Sequence, residues 1–154
     1  MKPEDTIDFH LRWAWHSISR MYNIEAAKFG STMSVGHTLL NIDTDNGTPS
    51  TKLGPKMGME ARSLTRILKS MEEKGLIYKV QDKKDRRMVR IYLTPFGKEK
   101  REVSRDIVIR FNLAIKEKLG QTKMNQFFSV IDKINNFLDS QITTSSNKNK
   151  KNNE

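Results

Sequence analysis

Apolar residues recur along this chain at two periods, and the change of period divides it. Between residues 5 and 29, Ile7, Leu11, Ala14, Trp15, Ile18, Tyr22 and Phe29 fall at spacings of three, four and seven, the stripe of a helix with one buried face. Asp5 or Thr6 can cap its start, and Gly30 suits a left-handed stop. Trp13 falls off the stripe, so it faces a second surface or solvent. A second helix is predicted from near Ser34, with Val35, Leu39 and Ile42 inward, weakened by Gly36 and ended by the turn residues Asp45-Asn46-Gly47. A third, over 50–57, has Leu53 and Met57 as its apolar contacts; Pro55 lies beyond its first turn, so it should be short or bent at Gly54-Pro55. After Gly58-Met59, a fourth helix over 60–74 turns Leu64, Ile67, Leu68 and Met71 to one side and Arg62, Ser63, Arg66 and Lys69 to the other. Past Gly75 the residues become β-branched and aromatic over 76–80 and 88–93, with a polar turn between, which predicts a hairpin. Two helices joined by a short glycine-containing turn, then a hairpin, make a winged helix-turn-helix.

The helical period returns after Thr94-Pro95, a cap followed by a first-turn proline. Val103, Ile107, Phe111, Ala114 and Ile115 stripe that helix, which Leu119-Gly120 ends; a last one starts near Thr122, with Phe127, Phe128, Ile131, Ile134 and Leu138 on one face. Residues 143–154 are polar, low in complexity and expected to be disordered. A winged helix needs only the middle third of this chain. The apolar faces of the outer helices would stay uncovered in a monomer, which predicts an interface, most simply a two-fold dimer.

Charge sharpens the picture. The formal net charge is +10 over 154 residues, but residues 1–47 carry −2, 48–97 carry +7 and 98–154 carry +5. Positive charge concentrated on one module is the electrostatic footprint of nucleic-acid binding. The polar turn of the hairpin alone holds Lys83, Lys84, Arg86 and Arg87 around two aspartates. With no cysteine, disulfides, thiolate metal sites and thiol redox sensing are excluded. No long apolar run and no basic-then-apolar leader is found, so a cytoplasmic protein with no membrane contact is expected. His10, His16 and His37 lack metal-ligand spacing, and no nucleophile triad or glycine loop argues for an enzyme, a metal or a cofactor.

The run from Ser63 to Glu99 resembles the MarR family of bacterial transcriptional regulators. The resemblance is carried by Leu64-Thr65-Arg66, Glu73-Lys74-Gly75-Leu76, Asp85-Arg86-Arg87, and Leu93-Thr94-Pro95 followed by Gly97. It implies a mainly α fold with a small β-hairpin wing: a winged helix-turn-helix (34–94), a dimerisation domain formed by 1–33 and 95–142, and the tail 143–154. It also implies a homodimer on a pseudo-palindromic operator in double-stranded DNA, commonly a repressor, and in many members release by a small, often aromatic ligand.

Residue types refine this expectation. Arg62 and Arg66 can each present a guanidinium fork to guanine in the major groove, while Ser63, Thr65 and Lys69 suit phosphates. Arg87 suits the minor groove, with Lys83, Lys84 and Arg86 on nearby phosphates, and the resemblance, which matches Asp85 and Arg87, implies that Asp85 orients Arg87 through a charge-assisted bond. Ser50, Thr51 and Lys52 open the third helix, where free N–H groups can meet a phosphate. Trp13, Trp15 and His16 are candidates for ligand contact, although packing is their simpler role. The competing reading is a winged helix that docks a protein and uses its basic face little.

Overall fold

A computed structural model describes the backbone of residues 1–83 and 85–151, with side chains to residue 142; the expected phosphate contact Lys84 lies outside the described residues. The chain divides into two units, Met1–Ile109 and Arg110–Glu154. The first unit opens with a 3-10 turn and α1 (Ile7–Ala27), capped by the Thr6 hydroxyl, which accepts from Phe9 N–H at 3.4 Å. Gly30 sits at φ +65°, the expected left-handed stop. The predicted stripe of α1 stays largely open, with Ile7 61% and Trp15 56% exposed; only Ala26 on this helix is fully buried.

α2 (Met33–Asn41) is capped by Thr32 rather than Ser34, and Asn23 of α1 accepts the Met33 N–H at 3.0 Å. Gly36 lies so close to α5 (Pro95–Leu119) that a β-carbon there would meet the Ser104 hydroxyl at 3.0 Å. A two-residue strand β1 (Thr48–Pro49) follows, then α3 (Ser50–Lys56) and α4 (Ala61–Glu73). Pro55 lies inside α3, and the helix ends one residue later, short as expected. β2 (Ile77–Gln81) and β3 (Val89–Leu93) form the hairpin, in register from Ile77 opposite Leu93 to Gln81 opposite Val89.

The sheet has three antiparallel strands in the order β1-β3-β2. β1 was not legible as a strand: two residues, one a proline, give no alternation, and proline fits only an edge. The core lies beneath this sheet. Val35, Leu39 and Ile42 from the α2 segment, Leu53 from α3 and Leu64, Leu68 and Met71 from α4 close on Ile77, Ile91 and Leu93. Several of these are fully inaccessible, each contributing about 1.5–3 kcal/mol of burial.

The junction between α4, the sheet and α5 is built by Thr94 and Gly97. The Thr94 hydroxyl donates to the Gly75 carbonyl at 2.6 Å and accepts the Gly97 N–H at 2.9 Å. A β-carbon on Gly97 would stand 1.9 Å from the Leu76 carbonyl oxygen, so no other residue fits without moving the helix.

The second unit holds the end of α5, Gly120 at φ +78° and α6 (Gln121–Lys151). Within it Phe127, Phe137 and Ile142 are more than half exposed. α6 runs on to Lys151, into the segment 143–154 expected to be disordered, and residues 152–154 lie outside the described residues. No glycine or proline interrupts 121–151, and extending an existing helix costs far less than starting one. Among the described residues, no helix is long and apolar enough to cross a membrane.

Candidate nucleic-acid interface

On α4 the apolar residues fix the orientation of the charged ones. At 100° per residue, Arg62, Arg66 and Lys69 fall within an arc of about 60°. Leu64, Ile67, Leu68 and Met71 centre on the opposite side, and all but the half-buried Ile67 are buried. Ser63 and Thr65 are exposed on the shoulders. The Thr65 hydroxyl donates to the Ala61 carbonyl at 2.9 Å, which leaves it only its acceptor capacity and turns it back along the helix. Among the described residues, no carboxylate pairs with Arg62, Arg66 or Lys69.

Lys52 and Thr51 are exposed in the first turn of α3, whereas Ser50 is half-buried. α3 has seven residues and no side-chain cap, so its dipole is short and the two side chains are the better anion contacts.

The wing tip departs from expectation in one respect. Asp85 does not hold the Arg87 guanidinium; its Oδ1 accepts the Arg87 backbone N–H at 3.0 Å, an Asx turn that shapes the loop. The side chains of Arg87, Lys83 and Arg86 are exposed and have no partner among the described residues. A two-residue separation places a carboxylate nearer to the backbone of its neighbour than to the end of a long side chain. Gln81 closes the tip by donating to the Arg86 carbonyl at 2.7 Å.

Two residues at the base of the wing carry more structure than sequence reasoning gave them. Asp82, only 6% exposed, receives Arg90 Nε at 3.1 Å and Nη2 at 3.0 Å on Oδ2. Arg90 Nη1 reaches the carbonyls of Asn46 at 3.1 Å and Gly47 at 3.3 Å. The available signal was an arginine inside an otherwise apolar strand, between Val89 and Ile91.

The three ligand candidates are separated. Trp15 lines a cavity of about 430 Å³ with Tyr22 of α1, Gly36, His37 and Leu40 of α2, and Ile107 of α5. Trp13 and His16 lie elsewhere, on a shallow groove along α1 with Arg20 and Ile24, their rings 6.0 Å apart edge to face. Burial pushes the Tyr22 phenol up from its ordinary value, so it stays protonated at neutral pH. Tyr22, His37 and Leu40 had no sequence signal as a group, because three helices must pack to bring them together.

Residues 32–89, which supply this basic face, match the model of the MarR family. The winged helix is thus similar to that family over the matched segment. Its relatives include the HTH-type transcriptional regulator SarZ of Staphylococcus epidermidis, 29% identical over 90 residues, covering 58% of this chain and 61% of that protein. SarZ of Staphylococcus aureus is 30% identical over 83 residues, 51% of this chain and 56% of that one. The chain thus matches about three-fifths of the length of these curated relatives. Both relatives are transcriptional regulators by name.

Solved structures match most of the chain. The MepR–DNA complex of S. aureus superposes with a TM-score of 0.76 at 22% identity, covering 84% of this chain and 96% of that one. PcaV of Streptomyces coelicolor, in complex with its natural ligand, gives 0.77 at 17%, covering 88% and 96%. At these identities the likeness shows the fold alone, a mainly helical winged-helix architecture.

Proposed function

We propose that this chain is a sequence-specific, DNA-binding transcriptional regulator that acts as a homodimer, most simply as a repressor. The observation that carries the reading is the arc of Arg62, Arg66 and Lys69, turned outward by the buried face of α4 and without acidic partners among the described residues. In this reading α4 enters the major groove with Arg62 and Arg66 on guanine edges, and Arg87 reaches the minor groove. Lys52, Lys69, Lys83 and Arg86 neutralise phosphates, assisted by Thr51, Ser63 and Thr65, with Lys84 assigned to the same task from its place in the sequence. Residues 34–94 are the DNA-binding segment, while 1–33 and 95–142 supply the dimer contacts; the exposed apolar residues of α1 and α6 support this division. A two-fold pair of winged helices reads a pseudo-palindrome with half-sites about 34–36 Å apart.

The cavity beside Trp15 supports control by a small ligand. Its volume of about 430 Å³ suits a small molecule, and its walls combine apolar and aromatic groups with the few polar ones of Tyr22, His37 and Asn41. We assign an aromatic ligand to it, since Trp15 and Tyr22 offer ring faces and edges. Trp13 and His16, on the separate groove, are then packing residues of the dimer.

The test is selection of bound duplexes from a random pool, followed by titration against salt. A palindromic consensus with a steep fall in affinity between about 50 and 200 mM salt supports the reading. Salt-independent capture with no consensus sinks it and leaves the winged helix as a protein-docking module.

A further inference from the structure

Arg90 is the second residue of β3, opposite Pro49 on one side and Val80 on the other. All three of its nitrogens are engaged: Nε and Nη2 on the buried Asp82 carboxylate, Nη1 on the carbonyls of Asn46 and Gly47. The two anchor points lie on different parts of the fold. Asp82 begins the wing tip, and its other oxygen accepts the Asp85 N–H at 3.3 Å; Asp85 in turn accepts the Arg87 N–H. Asn46 and Gly47 belong to the loop that leaves α2, whose His37 and Leu40 line the cavity.

That loop is itself stiff. Asp43 Oδ1 accepts the N–H groups of Asp45 at 2.9 Å and Asn46 at 2.8 Å, and the Asp43 N–H donates to the Thr48 hydroxyl at 2.9 Å. Gly47, at φ +63°, is closed in by β3, since a β-carbon there would meet the Ile91 carbonyl at 2.7 Å. A rigid loop joined to a wing through one planar, multiply bonded guanidinium transmits displacement rather than absorbing it.

We propose that Arg90 is a positioning residue that clamps the wing to the α2–β1 loop, so that the end of α2 and the place of Arg87 shift together. A second consequence rests on the DNA-binding reading: a ligand that moves α2 retracts Arg87 from the minor groove through this clamp. Lysine cannot replace the arginine, because a single ammonium lacks the fork that spans a carboxylate and two carbonyls at once.

The experiment has two arms, both on the full chain, using Arg90→Gln and the near-isosteric Asp82→Asn, with thermal unfolding run first to select the variant that folds. In the first arm, amide hydrogen exchange of the free protein follows Asp45, Asn46 and Gly47 on the loop and Asp85, Arg87 and Met88 on the wing. Exchange rising in both segments together, by about tenfold or more, supports the clamp. A rise confined to one segment, or none in either, overturns it. In the second arm, binding to the selected operator is measured for Arg87→Ala, the clamp variant and the double variant. The clamp predicts that the double variant binds no worse than Arg87→Ala alone, whereas losses from Arg62→Ala and the clamp variant multiply. Multiplying losses for Arg87 and Arg90 refute the coupling. Should the parent bind no duplex at all, the regulator reading falls, and the exchange arm still decides the clamp.

Discussion

Salt dependence is where the division of labour among the basic residues becomes quantitative. In one copy, Lys52, Lys69, Lys83 and Arg86 are assigned to phosphates together with Lys84; the side chains of the first four are exposed and have no partner among the described residues. A dimer then neutralises about ten phosphates, which sets a slope of log affinity on log salt of about −9. That amounts to about five orders of magnitude between 50 and 200 mM salt. Lys83→Ala removes one contact per copy, so the slope should become shallower by about 1.8, with affinity falling by a similar factor on every sequence. Arg62→Ala should behave in the opposite way. The slope stays close to the parent's, while discrimination at one base pair of each half-site weakens by about 1–3 kcal/mol. Fluorescence anisotropy titrations on the selected operator and on single-substitution operators, at four salt concentrations, separate the two. An unchanged slope for Lys83→Ala, or a reduced slope with intact discrimination for Arg62→Ala, would refute the assignment of roles by position on the helix and wing.

Other predictions test separate parts of the account. Arg87→Ala should weaken operator binding more than Lys83→Ala at equal salt in a mobility-shift titration; equal losses would deny Arg87 its minor-groove role. Gly97→Ala should lower the thermal midpoint, at a cost of about 1–3 kcal/mol, because the new methyl must displace the Leu76 carbonyl or the start of α5. Two N–H bonds from Asn46 and Asp45 hold the Asp43 carboxyl below its ordinary value of 3.8. A lowered pKa stabilises the fold above 3.8, an effect lost as pH falls through the folded value. Asp43→Ala should therefore be less stable than the parent at pH 6, with the gap closing in acid unfolding curves below that value. A ligand in the cavity should quench the fluorescence of Trp15 and not that of Trp13. Trp13→Phe then retains the ligand-dependent change and Trp15→Phe loses it, the reverse pattern placing the ligand on the groove.

Much of the fold was legible because its signals are local. The four-residue return of Leu64, Leu68 and Met71 on α4 needs no partner to be recognised, and burial of that face fixes where Arg62 and Arg66 point. The same holds for the Thr94 cap and for the β-branched strands of the hairpin. α1 shows the limit of such patterns. Its stripe is as regular as that of α4, yet most of it is exposed in a single chain. Periodicity states that a face is covered by something, not that the cover belongs to the same molecule. Its openness is therefore part of the argument for a second copy.

The parts that were not legible are those where chemistry depends on who arrives from far along the chain. Arg90 and Asn46 are 44 positions apart, and although an arginine between Val89 and Ile91 stands out, nothing in the sequence names its partners. Arg90 counts toward the +7 of residues 48–97, whereas the geometry spends its guanidinium inside the protein. The exposed cations and the clamped one thus do different work within one basic segment. Among the described residues Arg62, Arg66 and Arg87 have no acidic partner, whereas Arg90 pairs with the buried Asp82. Removing the guanidinium would leave that carboxylate buried without its ion pair, which is strongly destabilising, so the proposed clamp also holds the loop that carries Arg87.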